Sequence, residues 1–328
     1  MILFGLFKRV LQSILPAHLH TDTTGSSWDL VNYVGELATA SQKQTPLVSL
    51  IPNKRVQNDE FPLSVEYALA AAAQNVRTED DAVTAPTAVD VTTSQTKNAI
   101  QIQHHSILVT YKAISNMNRI TGIADSEAPM SIQDHVDFQT AQKLATIKRD
   151  MEVSLINGTY VASSASSAAT ATRGIFEAIS DASNGVAASS ADLSKALINQ
   201  MLREAVADGA TIENAVFSVN AFQKQQISDI YAYVPTDRFL GGENIQAIET
   251  DFGRVGVVYN PHMDTNDLLM LDLATCANVF QPVPGKGELF FEPLSIVGAA
   301  VKGQLYTQWG FDYGPAWRHN AITGLSTS

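Results

Sequence analysis

The chain has 328 residues, 45% of them hydrophobic and 16% charged, so it can bury the core of one large domain or of two to three subdomains. Its 33 acidic and 21 basic residues leave a net charge of −12, which argues against a protein that wraps nucleic acid by neutralising phosphates. The single cysteine, Cys276, excludes an internal disulfide framework and a cysteine-rich zinc site. No run of about 18 apolar residues occurs, so the sequence predicts no membrane-spanning helix.

Residues 1–46 are predicted to form an amino-terminal arm. Within 1–15 the apolar side chains recur on one helical face, which includes Leu3 and Phe7. Two basic residues interrupt this apolar stretch, whereas a secretory signal places its positive charges before an unbroken apolar core. We expect the helix to dock its apolar face on a partner or on the body of the protein, and a helix lying on a membrane surface is the alternative.

Residues 47–115 are predicted to be β-rich. The segment LVSLI (47–51) has the composition of a short leading strand, and apolar residues alternate in 61–71 and again in 99–114. A long polar excursion, 72–98, separates the two alternating segments. The pattern predicts an extended hairpin, which needs a partner surface because an isolated hairpin is barely stable in water.

The clearest helical pattern in the chain predicts one long helix over 131–157. Its apolar residues repeat every three or four positions, and Asn157-Gly158 is typical of a helix end. At about 1.5 Å per residue the helix is about 40 Å long. This length suits a structural spine for the segment 116–190.

Two groups of charged residues are candidates for contacts with a partner. The first is expected at the tip of the hairpin and comprises Glu79, Asp80 and Asp81. A calcium site is the alternative for this group, although its spacing is not that of an EF-hand loop. The second group lies on the long helix and comprises Arg149, Asp150 and Glu152. We expect these residues to form ion pairs with a partner, and a solvated polar face is the alternative.

The remainder of the chain predicts a compact α/β unit and then a pair of strands. In 191–285 a helix (192–210), a strand (215–219), a second helix (220–233) and three further strands follow one another with short connections. Residues 286–328 contain a long strand pair and the most aromatic stretch of the sequence.

The sequence carries no catalytic signature: it has no P-loop, no dinucleotide-binding glycine pattern, no zinc-protease motif and no serine nucleophile elbow. His104 and His105 are neighbours in a predicted strand and point to opposite faces, which disfavours a shared metal ion. We therefore expect no enzyme, no metal site and no cofactor. An enzyme site assembled from scattered residues is the alternative, with His262, Asp264 and Asp267 as its most suggestive group.

Several segments carry a resemblance to a known family: ALAAAAQN (68–75), NAIQIQHHSILVTYKAI (98–114), AQKLATIKRDMEVSLING (141–158), TRGIFEAI (172–179), IETDFGRVGVVYNPHM (248–263) and the aromatic tail. With the order of predicted elements, they resemble the major capsid proteins of tailed bacteriophages, which have the HK97-like fold. Within that fold the sequence is most similar to the capsid proteins of the SU10 group of podoviruses. The resemblance covers about 45–328.

This resemblance implies an α+β, HK97-like capsid fold and a structural protein that self-assembles into the icosahedral head shell of a tailed double-stranded DNA phage. A tail-tube protein or a β-rich adhesin is the structural alternative, and the dominant helix counts against it. The implied parts are the amino-terminal arm 1–46, the extended hairpin or E-loop 47–115, the peripheral domain 116–190, the axial domain 191–285, and the peripheral strands and tail 286–328.

The resemblance also implies the partners of the chain. Copies of the same chain would form pentamers and hexamers, with scaffold, portal and decoration proteins as further candidates and packaged DNA contacted only non-specifically. The protein would belong to the virion capsid, assemble in the host cytoplasm and contact no membrane. Eight residues are then expected at contacts between subunits: Leu3, Phe7, Glu79, Asp80, Asp81, Arg149, Asp150 and Glu152.

Overall fold

The computed structural model describes residues 44–67, 74, 76–84, 91–112, 132–165, 167–231, 238–240, 243–295 and 298–327. The larger of two compact units comprises the described parts of Gln42–His104, Ala145–Phe290 and Tyr306–Ser328. The smaller unit includes the described parts of His105–Leu144 and Phe291–Leu305. Helices and strands occur together, as expected of an α+β fold. Residues 1–43 of the predicted arm, with Leu3 and Phe7, lie outside the described residues.

The α-helices with described bounds are α1 Pro46–Leu50, α2 Glu79–Val83, α3 Ile132–Asn157, α4 Ile175–Asp181, α5 Lys195–Ala207 and α6 Ala221–Tyr231, and a 3₁₀-helix spans Ala316–Arg318. The strands are β1 Asn53–Arg55, β2 Glu60–Tyr67, β3 Thr93–Ala99, β4 Gln101–Thr110, β5 Val186–Ala187, β6 Ala215–Val219, β7 Arg238–Leu240, β8 Glu243–Thr250, β9 Gly253–Tyr259, β10 Leu268–Asp272, β11 Ala277–Phe280, β12 Leu289–Pro293, β13 Ala300–Asp312 and β14 Asn320–Thr323.

A mixed seven-stranded sheet forms the core of the larger unit, in the order β5-β14-β10-β6-β9-β8-β7. Every residue of β6 and β10 is buried, a continuous apolar pattern that is typical of strands covered on both faces. Helix α5 packs its apolar face into the same core through Ile198, Met201, Leu202 and Ala205. The helices and strands predicted between 191 and 285 are therefore present in the predicted order.

A second sheet has the order β1-β11-β13-β12, and β4 also pairs with β13. Strands β12 and β13 correspond to the predicted strand pair of 286–328. The last strand of that segment, β14, instead pairs antiparallel with β10 in the seven-stranded sheet. The carboxyl-terminal segment thus contributes strands to both sheets.

The leading strand predicted at 47–51 is wrong, because Pro46–Leu50 forms helix α1. Pro46 stands in the first turn of this helix, where a missing backbone N–H removes no helical hydrogen bond. The backbone N–H of Leu47 donates to Oε1 of Glu152 at 3.1 Å, and that of Val48 donates to Oε2 at 2.9 Å. A carboxylate about a hundred residues away therefore caps the helix.

Glu152 lies inside the subunit, so the structure corrects its predicted place at a contact between subunits. Its side chain is 0% exposed, and Oε1 also accepts a hydrogen bond from Nδ2 of Asn260 at 2.7 Å. Asn260 directly follows β9, so Glu152 ties helix α3 both to α1 and to the seven-stranded sheet. At the other end of α1, Nδ2 of Asn278 donates to the carbonyls of Val48 and Ile51 at 3.1 Å each.

Helix α3 has the predicted length and ends at a close crossing of two glycine backbones. The N–H of Gly174 donates to the carbonyl of Gly158 at 2.8 Å. A Cβ on Gly158 would lie 2.4 Å from the carbonyl oxygen of Ser154, and one on Gly174 would lie 2.4 Å from the nitrogen of Gly158. A side chain at either position would collide with backbone atoms, so this close approach requires glycine at both. Neither residue has a positive φ, so the backbone conformation is not the reason.

His319 is a fully buried histidine in the core of the larger unit. Its Nδ1 accepts a hydrogen bond from the backbone N–H of Asp272 at 3.2 Å, and its Nε2 lies 2.7 Å from the carbonyl of Tyr313, to which it donates. Burial lowers the pKa of His319 from its ordinary value to about 4, and the nearby Arg318 acts in the same direction. The folded protein therefore holds this imidazole neutral.

We expect Glu152→Ala to lower the free energy of unfolding of the subunit by about 3 kcal/mol or more. The substitution leaves the N–H groups of Leu47 and Val48 and the amide of Asn260 without their buried acceptor. Urea unfolding followed by circular dichroism measures the change. Val153→Ala, on an exposed position of the same helix, is the matched control and should change stability little. Equal stabilities of the two variants would contradict the bridging role of Glu152.

Acid should destabilise the protein through His319. Because the pKa of His319 is depressed in the folded state, its contribution to stability is complete above about pH 6.5 and is lost as pH falls toward 4. The shift corresponds to about 3 kcal/mol by pH 4. Urea unfolding at pH 7 and pH 4.5 should therefore show a smaller loss of stability in His319→Asn than in the wild type. Identical pH dependence in both proteins would refute the prediction.

Candidate assembly surface

Strands β2 and β3 form a two-stranded antiparallel ribbon that belongs to neither larger sheet. Glu60 pairs with Ala99 at its foot and Tyr67 with Thr93 at its far end, with an irregularity of the register between them. At about 3.3 Å per residue, the seven steps of β2 span about 23 Å. The structure therefore contains an extended ribbon in the segment where the sequence predicts a hairpin.

The second strand of the ribbon differs from the predicted one. The sequence predicts that this strand lies within 99–114, where apolar residues alternate. The structure has β3 at Thr93–Ala99, and Gln101–Thr110 forms β4 in the second sheet. The first five residues of β3 are all exposed, so neither face of this strand is buried there. A strand without a buried face shows no alternation of apolar and polar residues, and the sequence pattern therefore could not mark it.

The foot of the ribbon is anchored by the buried side chain of Asn98. Its Nδ2 donates to the carbonyls of Phe311 at 2.7 Å and of Arg173 at 3.2 Å, and its Oδ1 accepts from the N–H of Arg173 at 2.8 Å. Beside it, Phe61 packs with Ile100 and Val279 in a small apolar cluster. The ribbon thus leaves the body of the subunit from a fixed base.

An exposed ion pair also joins the two strands at the foot. Nζ of Lys97 donates to Oε2 of Glu60 at 2.5 Å. This hydrogen bond lowers the pKa of Glu60 below its ordinary value and raises that of Lys97 above it. Because both side chains are in solvent, the pair adds little to stability compared with the buried anchor.

Beyond its foot the ribbon exposes apolar side chains. Val65 is 64% exposed and Tyr67 is 66% exposed, both on the same face of β2. Val76, Val83 and Val91, in the segment between the two strands, are also exposed. A ribbon with open edges and exposed apolar residues is marginally stable in water, so this surface is suited to be covered by a partner.

The predicted contact residues fall into different surroundings. Glu79 and Asp80 are exposed in helix α2, next to Asp81, whose side chain lies outside the described part of the chain. Arg149 and Asp150 are half-buried on helix α3, so their predicted role at a contact stays a prediction. Sequence reasoning missed Asn98, because a single asparagine in a polar segment gives no signal of its distant partners.

The residues of the alternative enzyme site each contact a backbone group. Nε2 of His262 lies 3.1 Å from the carbonyl of Gln44, and Oδ1 of Asp267 accepts from the N–H of Gly324 at 3.2 Å. Oδ1 of Asp264 accepts from the backbone N–H two residues further on. Burial lowers the pKa of His262 and raises that of Asp267. These contacts give the three side chains a structural use.

Two further observations bear on the remaining predictions. In the described part of the chain, no group of three or more histidine, cysteine or acidic side chains is arranged to hold a metal ion. Across the same residues, no helix combines the length and the apolar character needed to span a membrane.

A family model described as SU10 major capsid protein matches residues 19–326 of the chain. No curated protein matches its sequence. The holo-SrpI encapsulin complex from Synechococcus elongatus is similar in structure, with a TM-score of 0.58 and 11% identity over 96% of each chain. The structure of Mycobacterium phage Bobi has a TM-score of 0.58 and 12% identity over 92% of this chain and 97% of that chain.

The capsid asymmetric unit of cyanophage A-1(L) is also similar, with a TM-score of 0.58 and 12% identity over 93% of this chain and 99% of that chain. At identities this low the likeness concerns the fold alone. The predicted HK97-like, α+β fold is confirmed.

Asn98→Ala should lower the free energy of unfolding by about 2 kcal/mol, because the half-buried N–H of Arg173 and the buried carbonyl of Phe311 lose their hydrogen bonds to this side chain. Thr96→Ala, an exposed change two residues away on the same strand, is the control and should have almost no effect. Thermal unfolding of both variants measures the difference. If the two melting temperatures coincide, Asn98 does not anchor the ribbon.

Proposed function

Because the chain belongs to the SU10 major capsid protein family, we propose that its exposed ribbon, β2 with β3, reaches a neighbouring copy in the capsid shell. The predicted function as a major capsid protein is confirmed, and such a protein builds the shell of a virion from many copies of itself. The way in which the copies join is the part that we propose.

The observation that carries this proposal is the exposure of Val65 and Tyr67 on a ribbon that has no sheet beside it. Burying one such side chain contributes about 1.5 to 3 kcal/mol, which the isolated subunit does not gain. A neighbouring copy supplies the missing cover and stabilises the ribbon. Glu79, Asp80 and Asp81 then lie at the part of the ribbon that contacts the neighbour, as predicted from the sequence.

The two sheets are suited to form different domains of the shell subunit. The compact α/β segment 191–285, with its fully buried strands β6 and β10, is suited to form the axial domain around five-fold and six-fold axes. The spine helix α3 and the second sheet are suited to form the peripheral domain. A contact between two different patches of the same chain generates rings when its rotation closes, and pentamers and hexamers are such rings.

The net charge supports the proposed relation between the shell and the DNA that it encloses. A net charge of −12 suits a shell that confines DNA and contacts it only non-specifically.

The icosahedral head of a tailed phage is the assembly that we propose, formed in the host cytoplasm from this chain. Scaffold, portal and decoration proteins are the proposed additional partners, and the half-buried Arg149 and Asp150 are proposed contact residues on α3.

Particle formation tests the role of the ribbon. The purified wild-type chain should give closed shells, or rings of five and six, in the void-volume fraction examined by electron microscopy. Val65→Ser combined with Tyr67→Ser should leave a folded subunit, because both positions are exposed, but reduce the yield of particles by on the order of tenfold. Val206→Ser, at an exposed position of helix α5, is the matched control and should assemble normally. Normal particles from the ribbon variant would contradict the proposed role of the ribbon.

A further inference from the structure

The chain contains two asparagine–glycine pairs, Asn157-Gly158 and Asn184-Gly185. In such a pair the backbone nitrogen of the glycine can attack the side-chain carbonyl carbon of the asparagine, because glycine has no Cβ to shield that nitrogen. The attack is hindered where the N–H of the glycine is already bound to an acceptor or enclosed by other atoms. In this respect the fold gives the two pairs opposite surroundings.

The first pair is held by the end of helix α3. Asn157 is the last residue of the helix, and the N–H of Gly158 donates to the carbonyl of Ser154 at 2.9 Å. The backbone of Gly174 crosses at the same point, where its N–H donates to the carbonyl of Gly158 at 2.8 Å. The nitrogen of Gly158 therefore reaches the side chain of Asn157 only if the end of the helix opens.

The second pair lies in the turn between α4 and β5, and its glycine is accessible. The N–H of Asn184 donates to the carbonyl of Ile179 at 3.0 Å, as at many helix ends. The next N–H, that of Gly185, has no acceptor among the residues that the structure describes, and Gly185 is exposed to solvent. Its φ of +119° is one that glycine adopts readily and other residues rarely, so the turn itself favours glycine after Asn184.

We propose that Asn184 is a site of spontaneous deamidation, whereas the fold protects Asn157. Hydroxide removes the proton from the nitrogen of Gly185, which then forms a bond to Cγ of Asn184. The bond from Cγ to Nδ2 breaks, and Nδ2 takes a proton from water and leaves as ammonia, which regenerates the hydroxide. A water molecule then opens the five-membered ring at either carbonyl carbon, so position 184 becomes aspartate or isoaspartate and gains one negative charge.

The reaction removes a contact between α4 and the segment before β14. Nδ2 of Asn184 donates to the carbonyl of His319 at 3.4 Å and to that of Ala316 at 3.5 Å. This segment also carries Arg318, whose Nη1 donates to Asp272 of β10 at 3.1 Å. A carboxylate has no N–H to donate, so the product at position 184 turns a negative charge toward two carbonyl oxygens.

The isoaspartate product acts on the backbone as well. It adds one carbon to the main chain two residues before β5, the edge strand that pairs with β14 through Val186 and Ile322. The modified subunit is therefore less stable than the original one. Because a virion makes no protein, a subunit in its capsid is not replaced, and the change accumulates with the age of the particle.

Mass spectrometry of the aged protein tests the assigned site. The purified full chain is kept in warm, mildly alkaline buffer and is then digested briefly with trypsin. Trypsin cleaves after lysine and arginine, so Asn157 falls in the peptide 150–173 and Asn184 in the peptide 174–195. We expect the deamidated fraction of the second peptide to rise several-fold faster than that of the first.

The same chain kept unfolded in urea is the matched control, because neither glycine nitrogen is then held by the fold. The two peptides should deamidate at similar rates in urea. Similar rates in the folded protein, or conversion of Asn184 in urea alone, would overturn the inference.

A measurement of stability tests the consequence of the modification. The urea midpoint of the wild type should fall with age, in step with the deamidated fraction at Asn184. Asn184→Gln is the comparison, because its longer side chain would have to close a six-membered ring, a slower reaction. Relative to its own fresh sample, this variant should lose several-fold less. Equal losses in both proteins would show that ageing acts elsewhere and would count against the role of Asn184.

Discussion

The carboxylate of Glu152 is the point at which the main parts of the subunit are held together. A buried charge is costly unless its oxygens are hydrogen-bonded, and those of Glu152 accept from Leu47, Val48 and Asn260. At the start of the five-residue helix α1, backbone N–H groups donate to this carboxylate. At its other end, the side chain of Asn278 in the second sheet donates to backbone carbonyls. One short helix and two polar side chains thus connect the spine helix, the seven-stranded sheet and the second sheet.

Local periodicity explains which elements the sequence predicts correctly. Helices α3 and α5 repeat their apolar residues every three or four positions, and strands β6 and β10 are short, nearly continuous apolar runs. Helix α1 has no such signal, because its cap comes from Glu152, a hundred residues away in the chain. Hydrophobic periodicity also does not predict strand β3, because its exposed residues do not alternate between apolar and polar. These errors arise where the stabilising contact is distant or where no face is buried.

The same reasoning applies to the assembly surface. The sequence predicts an extended acidic ribbon, and the structure contains one with Val65 and Tyr67 exposed. The sequence predicts that Glu152 lies on a polar helix face, because a charged residue in a helix is expected to face solvent. In the structure its side chain is buried inside the subunit. Which charged residue is buried depends on the partners that the fold brings to it. The role of Asn98 depends on such partners too, so only the folded chain reveals it.

The anchor at Asn98 has a mechanical consequence for a shell that encloses its contents under pressure. Such a shell is under tension in its own plane, and a ribbon that links two copies transmits the pull to its foot. There Asn98 transfers the load to the backbone at Phe311, within β13, the longest strand described, whose last four residues pair with β11. A pull directed along paired strands loads many perpendicular hydrogen bonds at once, and all of them must break together before the strand slips. With the proposed contact between copies, the pull on the ribbon falls on paired strands and not on a loop.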